Sequence, residues 1–215
     1  MTLDDLFDEY REESGDSGTP PFVSDTWLTK RANEAEREAC RRAGLLIESV
    51  HAMCTASVTA GDPVVTLHKK IIDIKKARMS SDSQELFPIT VSQLSLDWEN
   101  DTGIPTHYVT DYQSGAIRLY PTPTTSGDLI LTVTRLPLDD MSAGTDEPEI
   151  REEYHDGLVK WMLHRAYAKQ DADCFDPNKS ARALAEFERE FGQRKSARSE
   201  QWMRERHEIN TAPIA

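Results

Sequence analysis

The hydrophobic period of this chain changes between Ala116 and Gln170, and that change constrains the fold more than any other feature of the sequence. Ala116-Ile117-Arg118-Leu119-Tyr120 and Leu129-Ile130-Leu131-Thr132-Val133 alternate apolar with polar residues, the two-residue period of a hairpin with one wetted face. An acidic, Gly-containing connector follows, Leu138 to Pro148, and the spacing then becomes helical from Glu149 to Gln170. In that helix Leu158, Val159, Trp161, Met162, Leu163, Ala166 and Tyr167 cover more than one face. Such a helix needs apolar neighbours on most sides, supplied by other helices or by other subunits.

Upstream, Thr2 is positioned to cap a short helix whose stripe is Leu3, Leu6, Phe7 and Tyr10, with Asp4 and Asp5 in the first turn where the helix dipole favours anions. Ser14 to Pro21 is a turn-rich linker. A second cap signal at Ser24-Asp25-Thr26 opens a long amphipathic helix, predicted to run to Met53 because Leu28, Ala32, Ala35, Ala39, Ala43, Leu46, Val50 and Met53 recur at threes and fours. Its early apolar residues are small, so its first half can approach another helix closely.

From Cys54 to Pro137 the period is two. Strands are predicted at Thr55 to Thr59, Val64 to His68, Ile71 to Ala77, Ile89 to Leu96, His107 to Thr110, Ala116 to Tyr120 and Leu129 to Leu136, punctuated by Gly- and Pro-containing turns. Downstream of the connector helix, Asp176 and Pro177 form a second start signal, and Ala181, Leu184, Phe187 and Phe191 repeat at helical spacing. Beyond Gly192 the stripe thins to Ala197, Trp202, Met203 and Ile209, and the chain closes on Asn210 to Ala215, extended by Pro213.

These readings combine into an α+β expectation: an antiparallel bundle of long helices with an inserted antiparallel β-sandwich or barrel. The expected parts are a short helix and linker at 1–23, a bundle of 24–54 with 148–207, a β domain at 55–147 and a docking tail at 208–215.

Charge narrows the partners. Residues 1–148 hold 13 basic and 25 acidic residues, whereas 149–215 hold 12 and 13. Phosphate-backbone affinity comes from clustered Lys and Arg, so this acidic front argues against tight nucleic-acid binding and suits a wall that DNA slides past. An acidic surface also simply keeps a protein in solution. No run of about 18 apolar residues predicts a spanning helix, and the acidic start lacks the basic and apolar regions of a signal peptide, so synthesis in the cytoplasm is expected. Cys40, Cys54 and Cys174 are odd in number and widely spaced, which fits reduced thiols better than a disulfide framework.

The candidate chemistry is thin. His51 and Cys54 resemble half of a zinc site with no second pair. His155 and His164, nine residues apart on one helix, fall on nearly opposite faces and cannot chelate together. Asp171, Asp173 and Asp176 invite a calcium comparison that fails at Phe175, Asp176 and Arg182, leaving helix capping as their role. Trp98 with Asp97, Glu99 and Asp101 has the ingredients of a carbohydrate site, a platform beside paired carboxylates; acidic residues this close are also commonplace in turns. Lys69, Lys70, Lys75, Lys76 and Arg78 form the only basic cluster of the β region, without interleaved aromatics for stacking, and read as a lysine-protected strand edge. No catalytic residue, cofactor or metal ligand is assigned. Trp202, Met203, Arg204, Arg206, Ile209, Pro213 and Ile214 are the expected interface residues, because Trp and Arg favour protein contacts.

Four stretches carry a family resemblance: NEAEREACRRAGLLIES from Asn33, IRLYPTPTTSGDLILTVTRLP from Ile117, PEI with YHDGLVKWMLHRAYAKQDAD from Pro148, and the later DP with FEREFG. Together they resemble the head-to-tail adaptor, or connector, proteins of tailed bacteriophages, over roughly Trp27 to Gly192. The resemblance implies a non-enzymatic virion protein at the head-tail interface, assembled in the host cytoplasm. It implies a ring of twelve copies docked beneath the portal protein, joined to a tail nozzle or tail-tube protein and passing DNA without reading its sequence. No membrane partner is implied. The alternatives are a carbohydrate-binding or hydrolytic tail-associated module using the β domain, or a different tail-completion protein.

Overall fold

A computed structural model describes residues 1–81, 84–170 and 174–194. The chain divides into two compact units, one built from Met1–Leu46 with Arg135–Arg194 and the other from Ile47–Thr134.

The described residues of the first unit contain four α-helices: α1 (Leu3–Ser14), α2 (Asp25–Ala43), α3 (His155–Tyr167) and α4 (Pro177–Phe191). Their ends follow local chemistry. Thr2 and Asp5 form a reciprocal capping box on α1, Ser24 caps α2, and the Asp176 carboxylate accepts from the Asn178 and Lys179 amides ahead of α4. One continuous core joins Leu3, Leu6, Phe7 and Tyr10 of α1, Leu28, Ala32, Ala35 and Ala39 of α2, the apolar positions of α3, and Ala183, Phe187 and Phe191 of α4. At Gly157 the side chains of α4 crowd the α3 backbone, so that an added Cβ would lie 2.7 Å from the Phe191 ring.

The second unit is a curled mixed sheet, a half-barrel. Its strands are β1 (Leu46–Glu48), β2 (Thr55–Val58), β3 (Val64–Thr66), β4 (Ile71–Met79), β5 (Glu85–Ile89), β7 (His107–Gln113), β8 (Ala116–Tyr120) and β10 (Gly127–Arg135), while β6 (Thr102–Gly103) and β9 (Thr122–Pro123) form a separate parallel pair. The order is β1-β10-β4-β5-β7-β8-β3, with β2 also on β10. β5 and β7 run parallel, Phe87 opposite His107 and Ile89 opposite Val109. A parallel neighbour needs a crossover rather than a tight turn. Here the crossover is a strap, residues 90–106, containing two 3-10 turns, Val91–Gln93 and Trp98–Asn100. Leu86, Tyr108, Ile117, Leu119, Leu129, Leu131 and Val133 are buried in this unit.

This architecture corrects the expectation of long helices around an antiparallel sandwich or barrel. Among the described residues the structure is dominated by an eight-strand mixed sheet with a separate two-strand pair, ten strands in all, and its four α-helices are short. The helix predicted to reach Met53 stops at Ala43, because Gly44 adopts φ 62° and its N–H returns to the Cys40 carbonyl. The apolar spacing beyond it belongs to other structure: Leu46 opens β1 and Val50 is 89% exposed. The helix predicted from Glu149 begins only at His155, after a 3-10 turn over Glu152–Tyr154. The strand predicted at Ile89 to Leu96 is displaced upstream into β5, since Thr90 and Gln93 close a reciprocal cap that turns the chain.

Candidate interaction surfaces

The strap brings Trp98 to the sheet, but not as a platform for sugar. Trp98 is 6% exposed, and the Arg118 guanidinium lies 4.5 Å from its ring centre and 4.9 Å from that of Tyr112. Arg118 also donates to the Glu99 carbonyl at 3.1 Å and faces its carboxylate at 3.5 Å. Asp101 accepts from the Tyr120 hydroxyl at 2.8 Å, which raises the Tyr120 pKa. Glu99 and Asp101 therefore fasten the strap to the sheet, and the aromatic face is covered.

The other candidates resolve in the same way. His51 caps a 3-10 turn, its Nδ1 accepting from the Met53 amide, and Cys54 is buried. Burial pushes the Cys40 thiol up to about 12. His155 Nε2 lies 2.9 Å from the Ile150 carbonyl oxygen, and His164 Nδ1 meets Ser180 Oγ at 3.0 Å, with burial holding the His164 pKa below its ordinary value. Asp176 is a helix cap; Asp171 and Asp173 lie outside the described residues. Among the described residues, no three His, Cys, Asp or Glu side chains converge as metal ligands.

Lys75 and Lys76 on β4 are about half exposed and reach Asp73 at 3.8 Å and Glu85 at 3.4 Å. Beside β4 opens a cavity of about 210 Å³ lined by Leu67, Ile72, Ile74, Tyr108, Thr110 and Ile117. Burial pushes the Tyr108 hydroxyl pKa up. Large apolar side chains also face solvent: Ile47, Val50, Phe87, Leu96 and Ile104 in the sheet unit, Phe22 and Phe175 in the helical unit. These side chains leave apolar contact area on each unit. The expected interface residues Trp202, Met203, Arg204, Arg206, Ile209, Pro213 and Ile214 all lie outside the described residues.

Three buried polar side chains of α2 escaped the sequence reading. Asn33 exchanges hydrogen bonds with both backbone groups of Met141, its Oδ1 accepting at 2.8 Å and its Nδ2 donating at 2.9 Å. Glu36 accepts from the Glu149 and Ile150 amides. Arg42 bridges to Glu38, Glu188 and the Gly192 carbonyl while lying over the rings of Trp161 and Phe187. A signal was present: Asn33, Glu36 and Cys40 recur at three and four beside Ala32, Ala35 and Ala39.

The polar side chains singled out by the sequence thus serve packing and capping, and what the surface offers is contact area. Such a surface suits a structural protein that meets others by contact. The chain belongs to the SU10 adaptor protein family, whose family model matches residues 1–210. It is accordingly a bacteriophage adaptor, a structural component of the virion that meets other head and tail proteins. A search of curated proteins returns no match to the chain. Among the described residues, no helix is long and apolar enough to cross a membrane.

Proposed function

We propose that this adaptor forms a closed ring, of twelve copies, that docks on the portal protein and joins it to a tail nozzle or tail-tube protein, with DNA passing through the centre. The observation that carries the reading is the family match across 1–210. Two physical features support it. Exposed apolar side chains on each unit offer separate contact areas, and two unlike surfaces on one chain make a heterologous contact, which closes into a ring when the rotation closes. The helical unit also carries 25 acidic and 15 basic residues, so a passage bordered by it repels rather than grips the phosphate backbone. Residues 202–214, with Trp202, Arg204 and Arg206, act as the docking segment on the portal.

Native mass measurement and negative-stain imaging of the full chain, alone and with portal, test this. A ring on the portal axis is the expected outcome, and removal of residues 202–215 abolishes docking. A stable monomer with no affinity for portal overturns the reading. The carbohydrate reading finds no support, because Trp98 is covered by Arg118.

A further inference from the structure

The half-barrel opens between β4 and the β7–β8 hairpin. β4 pairs with β5 at Ala77–Leu86 and Arg78–Glu85, near one end of each strand. Ahead of those pairs Ile71–Ile74 and the hairpin border the cavity of about 210 Å³, and the turn at 67–69 bounds it, tied down by the Leu67 N–H donating to the Gly115 carbonyl at 2.9 Å. Leu67, Ile72, Ile74, Ala116 and Ile117 make its walls apolar. Tyr108 lines it too, is 3% exposed, and among the described residues its hydroxyl has no hydrogen-bond partner. A buried hydroxyl without a partner costs free energy that an incoming polar group recovers. Lys69 stands at the mouth, exposed and, among the described residues, with no anion beside it.

The strap carries a projection of matching chemistry. Leu96 is 101% exposed. Its neighbour Asp97 is exposed, and among the described residues its carboxylate has no partner, whereas Glu99 and Asp101 are engaged by Arg118 and Tyr120. Trp98, clamped by Arg118, fixes where the two project. Projection and cavity belong to opposite faces of the sheet. Tyr108 stands opposite Leu119 and Val109 opposite Arg118, and successive strand residues alternate in face, so Tyr108 and the cavity lie on one side while Arg118 and the strap lie on the other. A chain therefore cannot seat its own Leu96 in its own cavity, and two copies related by a two-fold axis cannot exchange the contact.

We propose that Leu96 of one copy seats in the cavity of the next copy, with Asp97 meeting Lys69 at the rim and a polar group of the Ser95–Asp97 segment meeting the Tyr108 hydroxyl. The occupant follows from complementarity on both counts. An apolar cavity with an unpaired cation at its mouth takes an aliphatic side chain with an acid beside it, and the strap presents a fully exposed leucine next to an unpaired carboxylate. Leu96 is the anchor, and the Asp97–Lys69 pair fixes the register. A projection on one face and its receptor on the other make a head-to-tail contact, which runs from copy to copy and closes where the rotation closes. The inference rests on the ring proposed above and names the contact that joins its sheet units.

The test measures association of the full chain by native mass, alone and on portal. Leu96, Asp97 and Lys69 are exposed, so substitutions there should leave thermal unfolding unchanged. Leu96→Glu is expected to weaken association between copies about tenfold, and Asp97→Lys or Lys69→Asp about fivefold, with most of that loss recovered when both charges are exchanged in one chain. Ile72→Glu puts a carboxylate on the cavity wall and blocks the receiving side. Mixed with Leu96→Glu it should give pairs and no rings, since one intact projection then meets one intact cavity. The charge exchange decides even where Ile72→Glu fails to fold. Rings of Leu96→Glu as stable as those of the wild type, or charge variants that weaken association with no recovery in the double exchange, overturn this contact and leave the ring standing. Loss of portal affinity in Ile72→Glu with association between copies intact overturns it as well and gives the cavity to the portal. A wild type that stays monomeric alone and on portal overturns ring and contact together.

Discussion

Each unit buries one arginine between aromatic rings, and the two are used differently. Arg42 in the helical unit lies 5.3 Å from the centre of the Trp161 ring and 5.1 Å from that of Phe187, and its polar atoms join Glu38 of its own helix to Glu188 and the Gly192 carbonyl at the C-terminal end of α4. Arg118 in the sheet unit sits between Trp98 and Tyr112 and holds a strap that leaves the sheet and returns close by in sequence. The first arginine staples elements that are distant along the chain; the second fastens a local crossover. A staple across a core has no local substitute when it is lost. A strap, by contrast, can lift and let water satisfy what it leaves behind.

That contrast can be broken by mutation, and the largest effect is expected where the core itself is opened. Phe187→Ala, at the meeting of Trp161, Phe191 and Arg42, is expected to cost about 4 kcal/mol in urea unfolding. Amide protection should fall through α2, α3 and α4; a loss confined to α4 would show that the helices do not share one cooperative core. Arg42→Ala follows at about 3 kcal/mol, because Glu38 and Glu188 lose a largely buried partner. Arg118→Ala should cost less, about 2 kcal/mol, with the exchange increase limited to residues 90–106. Equal costs for the two arginines would erase the distinction between staple and strap.

Smaller changes sharpen the same comparison. Gly157→Ala places a Cβ 2.7 Å from the Phe191 ring and is expected to lower stability by about 2 kcal/mol through overpacking of α3 on α4, measured by thermal unfolding. Asp176→Ala removes the acceptor for two amides at the start of α4 and should cost about 1 kcal/mol, with fraying of that helix's first turn.

What was legible in the sequence was local. The caps at Thr2, Ser24 and Asp176 and the strand from Ala116 to Tyr120 are where the residues placed them. The apolar α3 is packed as its several greasy faces required. The end of α2 was misread because Leu46, Val50 and Met53 continue a helical spacing by coincidence, and a single left-handed Gly44 outweighs a periodic fit. Sheet order was beyond reach for a different reason. Parallel pairing of β5 with β7 is decided by contacts between strands far apart in sequence, and alternation within a strand says which face is wet, not which neighbour it takes. Trp98 and its carboxylates looked like chemistry because proximity in sequence cannot reveal that Arg118 covers the ring. Glu36 shares helical spacing with Asn33 and Cys40, but the sequence does not show what covers it: the connector, whose Glu149 amide donates to its carboxylate.

The helical core is assembled from two stretches of chain, Met1–Leu46 and Arg135–Arg194, with the whole sheet coded between them. During synthesis α1 and α2 leave the ribosome with Leu3, Leu6, Phe7, Tyr10 and Leu28 still uncovered, and the residues that will cover them do not yet exist. At translation rates of about 5–20 residues per second that exposure lasts on the order of ten seconds, longer than most folding steps. The newborn chain therefore passes through a period in which its front end depends on chaperones or on its own acidity to stay apart from its sisters.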